Sequence, residues 1–176
     1  MVTLDAFFWM LVFIFAFIGL MRGWAKEVLV TFSVVLGLFI ITLLQQFEPG
    51  IISALSVNNS TALFWLRSVI IAVLVFFGYQ TPNLSRLAGT GRFVREKLQD
   101  SLLGLFLGGI NGFMIVGTLW YFLNQAQYPF PGIFSAPAPD SNAVQLLALM
   151  PPEWLGIPVI YFAVALAFGF VLVVFI

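Results

Sequence analysis

The sequence predicts an all-α, multi-pass transmembrane helical bundle of about five spans. Three observations carry that prediction. The 176 residues are 62% hydrophobic and only 8% charged, with a mean hydropathy of +1.10, whereas a soluble domain carries about 25% charged residues. The hydrophobic residues fall in runs of about 17–22 residues, and roughly 20 helical residues cross a bilayer core. The basic residues collect in alternate linkers between those runs, as they do when loops alternate across a membrane. A chain of this size fits one bundle.

The first span is 4–20, opened by Asp5 and followed by Arg22. No basic residue precedes it and no small-residue cleavage site follows, so it reads as retained rather than as a removable signal. A short linker, Arg22-Gly23-Trp24-Ala25-Lys26-Glu27, joins it to span 28–44, and so short a connection predicts an antiparallel hairpin. The second span is rich in Val, Ile, Phe and Thr. It is still expected to be helical, because a lone strand in lipid leaves its backbone groups unsatisfied. Residues 45–61 read as a loop with Glu48, Pro49 and Gly50 and no Lys or Arg, and the third span is 62–79, interrupted by Arg67.

Residues 80–99 are the most polar stretch, with breaks at Thr81-Pro82-Asn83 and Gly89-Thr90-Gly91. A charged helical turn or two over 92–99 is expected to lead into the fourth span, 102–123. There Gly104, Gly108 and Gly112 recur every fourth residue, which places them on one slowly drifting helical stripe. A stripe without side chains lets a neighbouring helix approach closely, and Gly19 and Gly23 repeat the spacing near the first linker. Asn111 lies beside the stripe, placed to bond across to a partner helix. Asp100 stands just before the span and is expected to cap its N-terminus at Leu102 or Leu103.

Beyond Leu123 comes a Pro-rich loop, 124–156, in which Ser141 is a candidate cap for a short helix over 142–150 that Pro151-Pro152 ends. An uncharged last span occupies 157–176. The linker with Arg22 and Lys26 and the one with Arg86, Arg92, Arg95 and Lys97 are the basic ones. The positive-inside rule places both in the cytoplasm, with the N-terminus outside and the C-terminus cytoplasmic. Trp65, Trp120, Tyr121, Trp154 and Tyr161 then belong to an outer aromatic belt, and Trp24 and Tyr79 to an inner one.

Arg67 is the one charge well inside a span. It is a candidate for an intramembrane charge pair with Asp5 on the same outer side; the alternatives are snorkelling to the interface or a span that starts at Leu66. Glu27 in the first turn of its helix suits the helix dipole, and Lys26 suits the headgroups. Cysteine and histidine are absent. That excludes disulfides, thiol catalysis and the commonest metal and haem ligand, so no metal, cofactor or catalytic residue is assigned and an enzyme is not expected. With zero net charge, nucleic acid is not an expected partner.

Several of these residues together resemble a known family. An Asp opening the first span (Asp5), a Gly-x-x-Arg-Gly turn (Gly19 to Gly23) with Glu27 soon after, and Asp100-x-x-x-Gly104 leading into a glycine-rich span are similar to the CvpA, or colicin V production, proteins. The resemblance covers 1–123, marks Asp5, Arg22, Gly23, Glu27, Asp100 and Gly104 as family-motif positions, and leaves 124–156 as an added extracytoplasmic loop and 157–176 as an added helix. Ser101 stands where the family often has Arg. The family implies a non-enzymatic bacterial inner-membrane protein that assists colicin production or export and envelope homeostasis. A small accessory subunit of a larger membrane complex, such as a bioenergetic one, is the alternative reading. A channel or transporter using Asp5 and Arg67 fits less well. The expected partners are membrane lipid and other membrane proteins, or a second copy, through the glycine-rich faces.

Overall fold

The computed structural model of the chain describes residues 3–58, 60–80, 94–130 and 132–175. Eight helices follow in order: α1 (Leu4–Arg22), α2 (Trp24–Phe47), α3 (Pro49–Asn58), α4 (Ser60–Tyr79), α5 (Val94–Gln125), α6 (Asn142–Leu147), α7 (Pro151–Trp154) and α8 (Val159–Phe175). Among the described residues there is no strand. Four helices, α1, α2, α4 and α5, are long and apolar enough to cross a membrane. The helix of the fifth expected span, α8, has 17 residues, which gives it a length of about 25 Å against a hydrocarbon core of about 30 Å.

The helices run further than the apolar patterning implies. A single residue, Gly23, separates α1 from α2, with φ +84° and ψ 160°. Positive φ is strained for a residue with a Cβ, so the whole reversal is concentrated where glycine allows it. The expected loop over 45–61 contains α3, which starts with Pro49 at a position where the missing amide proton costs no helical bond. The polar lead-in to the fourth span is continuous with it, so α5 has 32 residues. In the Pro-rich loop, Pro151-Pro152 begins a helical turn, α7, after α6 has already ended. Ser141 precedes α6 but does not cap it; its hydroxyl donates to the Ala138 carbonyl at 2.6 Å.

The most extensive helix pair is α1 against α5. They run antiparallel, with Phe8 beside Gly117, Val12 and Phe15 beside Gly112, Gly19 beside Gly108, and Gly23 beside Gly104. A Cβ placed on Gly108 would lie 2.5 Å from the Phe15 carbonyl oxygen and 2.9 Å from the Gly19 Cα. One placed on Gly112 would lie 3.0 Å from the Val12 Cα. The backbones therefore touch, and the contact is made within one chain. The glycine faces expected to receive other membrane proteins or a second copy are occupied by α1 and α5 themselves.

On the other side of α5, α2 forms the centre of the bundle. Val30, Val34, Leu38 and Ile41 of α2 are buried against Ile71 and Val75 of α4, Met114, Ile115 and Phe122 of α5, and Ile160 and Val164 of α8. Seven-residue and four-residue steps place these α2 side chains on adjoining faces. Aromatic and aliphatic side chains such as Phe13, Phe17, Phe77, Phe162 and Leu166 point outward and are exposed. That arrangement suits a hydrocarbon surround, where exposed apolar surface carries no hydrophobic cost. Long helices successive in the chain run antiparallel, so the α1–α2 turn, the end of α4 and the start of α5 share one end of the bundle, and α3 and the Pro-rich loop share the other. Arg86 and Arg92 lie outside the described residues, as does the side chain of Arg95.

The seam gives a direct test. Gly108→Leu should destabilise the protein by about 1–3 kcal/mol, the usual range for overpacking a closed contact. Gly109→Ala, whose added methyl meets only the Ala16 Cβ at 3.7 Å, should be near neutral. Thermal unfolding in mild detergent reads the difference.

Candidate functional site

At the end of the bundle that holds the α1–α2 turn, polar side chains from the long helices meet in an apolar surround. Glu27 sits in the first turn of α2, and because α2 begins at Trp24 its side chain is carried into the bundle with no exposed surface. Arg22, at the last turn of α1, donates from Nη1 to Glu27 Oε1 at 2.6 Å. Its Nη2 donates to the Tyr79 carbonyl at 3.1 Å, an acceptor left free because helix α4 ends there. The same guanidinium lies 4.3 Å from the centre of the Tyr79 ring, within cation–π range.

Asn111 of α5, also fully buried, completes the cluster. Its Nδ2 donates to Glu27 Oε2 at 2.8 Å and to the Glu27 carbonyl at 2.9 Å, and its Oδ1 accepts from Thr31 Oγ1 at 2.7 Å. Each Glu27 oxygen therefore has a donor, and both amide protons of Asn111 have acceptors. Satisfaction on this scale is what makes a buried charge pair tolerable in a low-dielectric interior. The cluster links all four membrane-length helices: α1 through Arg22, α2 through Glu27 and Thr31, α4 through the Tyr79 carbonyl, and α5 through Asn111.

Asp100 adds a second link one step away. It lies within α5 rather than ahead of it, so it does not cap its own helix as expected. Its Oδ1 instead accepts from the Trp24 backbone amide at 3.2 Å, at the start of α2. A Cβ on Gly23 would lie 2.5 Å from Asp100 Oδ2. Glycine is thus required at position 23 twice over, by backbone conformation and by the carboxylate packed on it. The carboxylate lies against the exposed amides of the α2 N-terminus, which favours negative charge.

Of the six positions that carry the motif, Arg22, Gly23, Glu27, Asp100 and Gly104 come together here, and Asp5 does not. Asp5 stands in the first turn of α1 at the opposite end, half-buried. It lines a cleft of about 610 Å³ with Ile133, Phe134, Pro137 and Ser141 of the Pro-rich segment. Nor does Asp5 pair with Arg67. Arg67 Nη1 bonds to Gln125 Oε1 of α5, and its guanidinium lies 5.5 Å from the centre of the Phe122 ring. A neutral amide and an aromatic face on the adjacent helix take the place of a carboxylate. Arg67 is 8% exposed, so its guanidinium is enclosed by the protein rather than open to the surround. Among the described residues the one ion pair is Arg22–Glu27. Trp120, expected in the outer aromatic belt, is also buried: it packs on Phe8 and donates to the Tyr128 hydroxyl at 3.3 Å.

Sequence reasoning missed Tyr79 and Thr31 in the cluster. The Tyr79 contribution is a backbone carbonyl at a helix end and has no side-chain signature. Thr31 follows Glu27 by four residues on the same helix face, a signal that was present. No group of three or more potential metal-binding acidic, cysteine or histidine side chains occurs among the described residues.

The model of the family described as colicin V production protein matches residues 4–150. This chain belongs to the colicin V production family. The match takes in α1 to α6 and most of the Pro-rich loop and stops before α7 and α8. It therefore runs past Leu123, and the part of the chain that follows it is the C-terminal helix with the turn that leads to it. Comparison with the curated proteins and with the solved structures finds no match. In this family member the motif residues near α1–α2 act as one joint rather than as separate marks.

That joint predicts the outcome of breaking it. Glu27→Gln should cost about 3 kcal/mol, the low end for a buried pair broken from one side. Combining it with Arg22→Met should cost less than the two single losses added, with a coupling of about 0.5–3 kcal/mol. Asp100→Ala should cost about 1 kcal/mol through the lost cap. Denaturant unfolding in detergent measures all four variants.

Proposed function

We propose that this family member is a non-enzymatic protein of the bacterial inner membrane that assists production or export of colicin V and upkeep of the envelope. The α1–α2 turn would face the cytoplasm and the Pro-rich segment the exterior. The family match supports the toxin-related role. The observation that carries the non-enzymatic part is the saturation of the polar cluster. Arg22 and Asn111 each bond to Glu27, which ties helices together and engages both carboxylate oxygens and both amide protons of Asn111. The positive charges Arg22 and Lys26 at the α1–α2 end support the orientation.

A second reading, a small accessory subunit of a larger complex, is favoured by the broad outward aromatic surface that includes Phe13, Phe17, Phe76 and Phe77. It differs from the first in what stays bound. Under mild detergent a fixed-stoichiometry complex supports the subunit reading, and a chain that purifies alone yet restores colicin V export to a deficient strain supports the first. Transport through this chain has weaker support, since Asp5 and Arg67 lie apart.

Orientation is tested by fusions. A reporter active only outside the cytoplasm should work when fused after Asp140 and fail when fused after Gln80. The reverse pattern would overturn the placement.

A further inference from the structure

Helices α2, α4 and α8 do not close on one another along their whole length. Where α8 leans on α2 and α4 leans on the other flank of α2, a groove of about 480 Å³ opens toward the surround. Its floor is Leu29, Ser33 and Leu36 of α2, and its walls include Phe77 of α4 and Ala167 and Phe168 of α8. The lining is almost wholly apolar. Gln80, at the end of α4, is the polar residue at its mouth. The groove exists because α8 is there, and α8 lies beyond the residues that match the family.

Length decides what fits. Along α2 the groove runs from Leu29 to Leu36 and along α8 from Val164 to Val171, about 10 Å in each case at 1.5 Å per residue. A partner helix crossing the bilayer needs a face of about 30 Å, whereas a lipid chain occupies one leaflet, about half that depth. The groove is therefore too short for a crossing helix and takes much of the length of one acyl chain. It lies in the half of the bundle nearest the α1–α2 turn, so its mouth opens at that interface.

Charge decides which lipid. Lys26 precedes Ser33 by seven residues on α2, which places the two within about 20° of each other around the helix. Lys26 thus shares the groove's helix face, just under one turn beyond Leu29 toward the α2 start, at headgroup level, and Gln80 lies at the same end. Arg22, the other cation of the turn, is held by Glu27, while Lys26 makes no ion pair among the described residues. We propose that this groove is a binding site for one anionic phospholipid, one of its acyl chains lying between α2, α4 and α8 and its phosphate at Lys26 and Gln80.

The test is native mass spectrometry of the full chain, released from nanodiscs that contain equal amounts of phosphatidylglycerol and phosphatidylcholine. The wild type should retain phosphatidylglycerol about fivefold over phosphatidylcholine, the preference that about 1 kcal/mol at one basic residue gives. Lys26→Gln, a change at a half-buried edge position that the core does not use, should bring the ratio near one without loss of thermal stability. Ala167→Phe, which fills the groove, should lower retention of both lipids together. Equal retention of the two lipids by the wild type, an unchanged ratio in Lys26→Gln, or a retained protein in place of lipid would each overturn the proposal. Because Lys26→Gln leaves the seam and the cluster untouched, the result stands whether or not Ala167→Phe folds.

Discussion

A carboxylate with no exposed surface, in a helix surrounded by apolar side chains, is the constraint around which this bundle is arranged. Glu27 is tolerable there only with a cation and a hydrogen-bond donor at its two oxygens, and Arg22 and Asn111 fill those places. Neither can do so unless α1 and α5 come close to the start of α2. The glycine seam provides that closeness: with Cβ atoms at 19, 104 and 108, the helices would be forced apart by contacts at or below 3.0 Å. The seam and the cluster are therefore one device. Dispersion along the glycines holds α1 on α5, and the polar groups fix the depth at which the pair docks on α2. In lipid, where burying apolar surface gives little drive, such fitted packing with a few hydrogen bonds is what remains to specify an arrangement.

The two ends of the bundle handle charge differently. At the turn end, the pair Arg22–Glu27 is supplemented by a helix-terminal carbonyl and an aromatic face. At the other end, Arg67 is buried with an amide and the Phe122 ring, and its Nε has no partner among the described residues. Intramembrane charge is less costly near an interface than at mid-depth, which is consistent with the thinner set of partners around Arg67. Nearby, Trp120 and Tyr128 bond to each other beneath α6. Burial pushes the Tyr128 phenol above its usual range, while the Trp120 donor pulls the other way. This end is held by aromatic packing and short polar links rather than by an ion pair.

Much of this was legible in the residues. Apolar run length located the four long helices, and the four-residue glycine period showed a face made for close approach. Asn111 was visible as a polar group beside that face, though not which carboxylate it would meet. What could not be read are relations set by three-dimensional meeting. Asp100 looks like a cap for the helix that follows it and caps a different one, because charge helps any exposed helix N-terminus within reach, not only its own. Helix ends were misjudged where hydropathy and helicity part company. Trp24 to Glu27 reads as a linker yet is helical, since nothing in it breaks the backbone hydrogen-bond pattern, whereas the helical lead-in expected before the fourth span is present and runs into α5 without a break. Arg67 and Asp5 share a side of the membrane, but shared depth is not proximity; azimuth around the bundle decides it, and a hydropathy profile carries no azimuth.

Helix α8 is held differently from the four long helices. The four long helices, all inside the family match, are bound by the cluster, the seam or both, while α8 packs on α2 through Ile160, Val164 and ring contacts such as Phe32–Phe170 at 5.4 Å and Phe39–Tyr161 at 6.1 Å. Its one polar link in the described residues, Tyr161 to Gln46 at 2.6 Å, is at the end where the helix begins. Toward the turn end it is held by apolar contact alone, and apolar contact in lipid competes with lipid itself on nearly equal terms. A helix anchored at one end and loosely packed at the other leaves a wedge between itself and its neighbours, and a wedge facing a bilayer fills with lipid. Lys26 sits where that wedge meets the interface, so the part of the chain outside the family match turns a residue of the first linker into a site with a preference for charge.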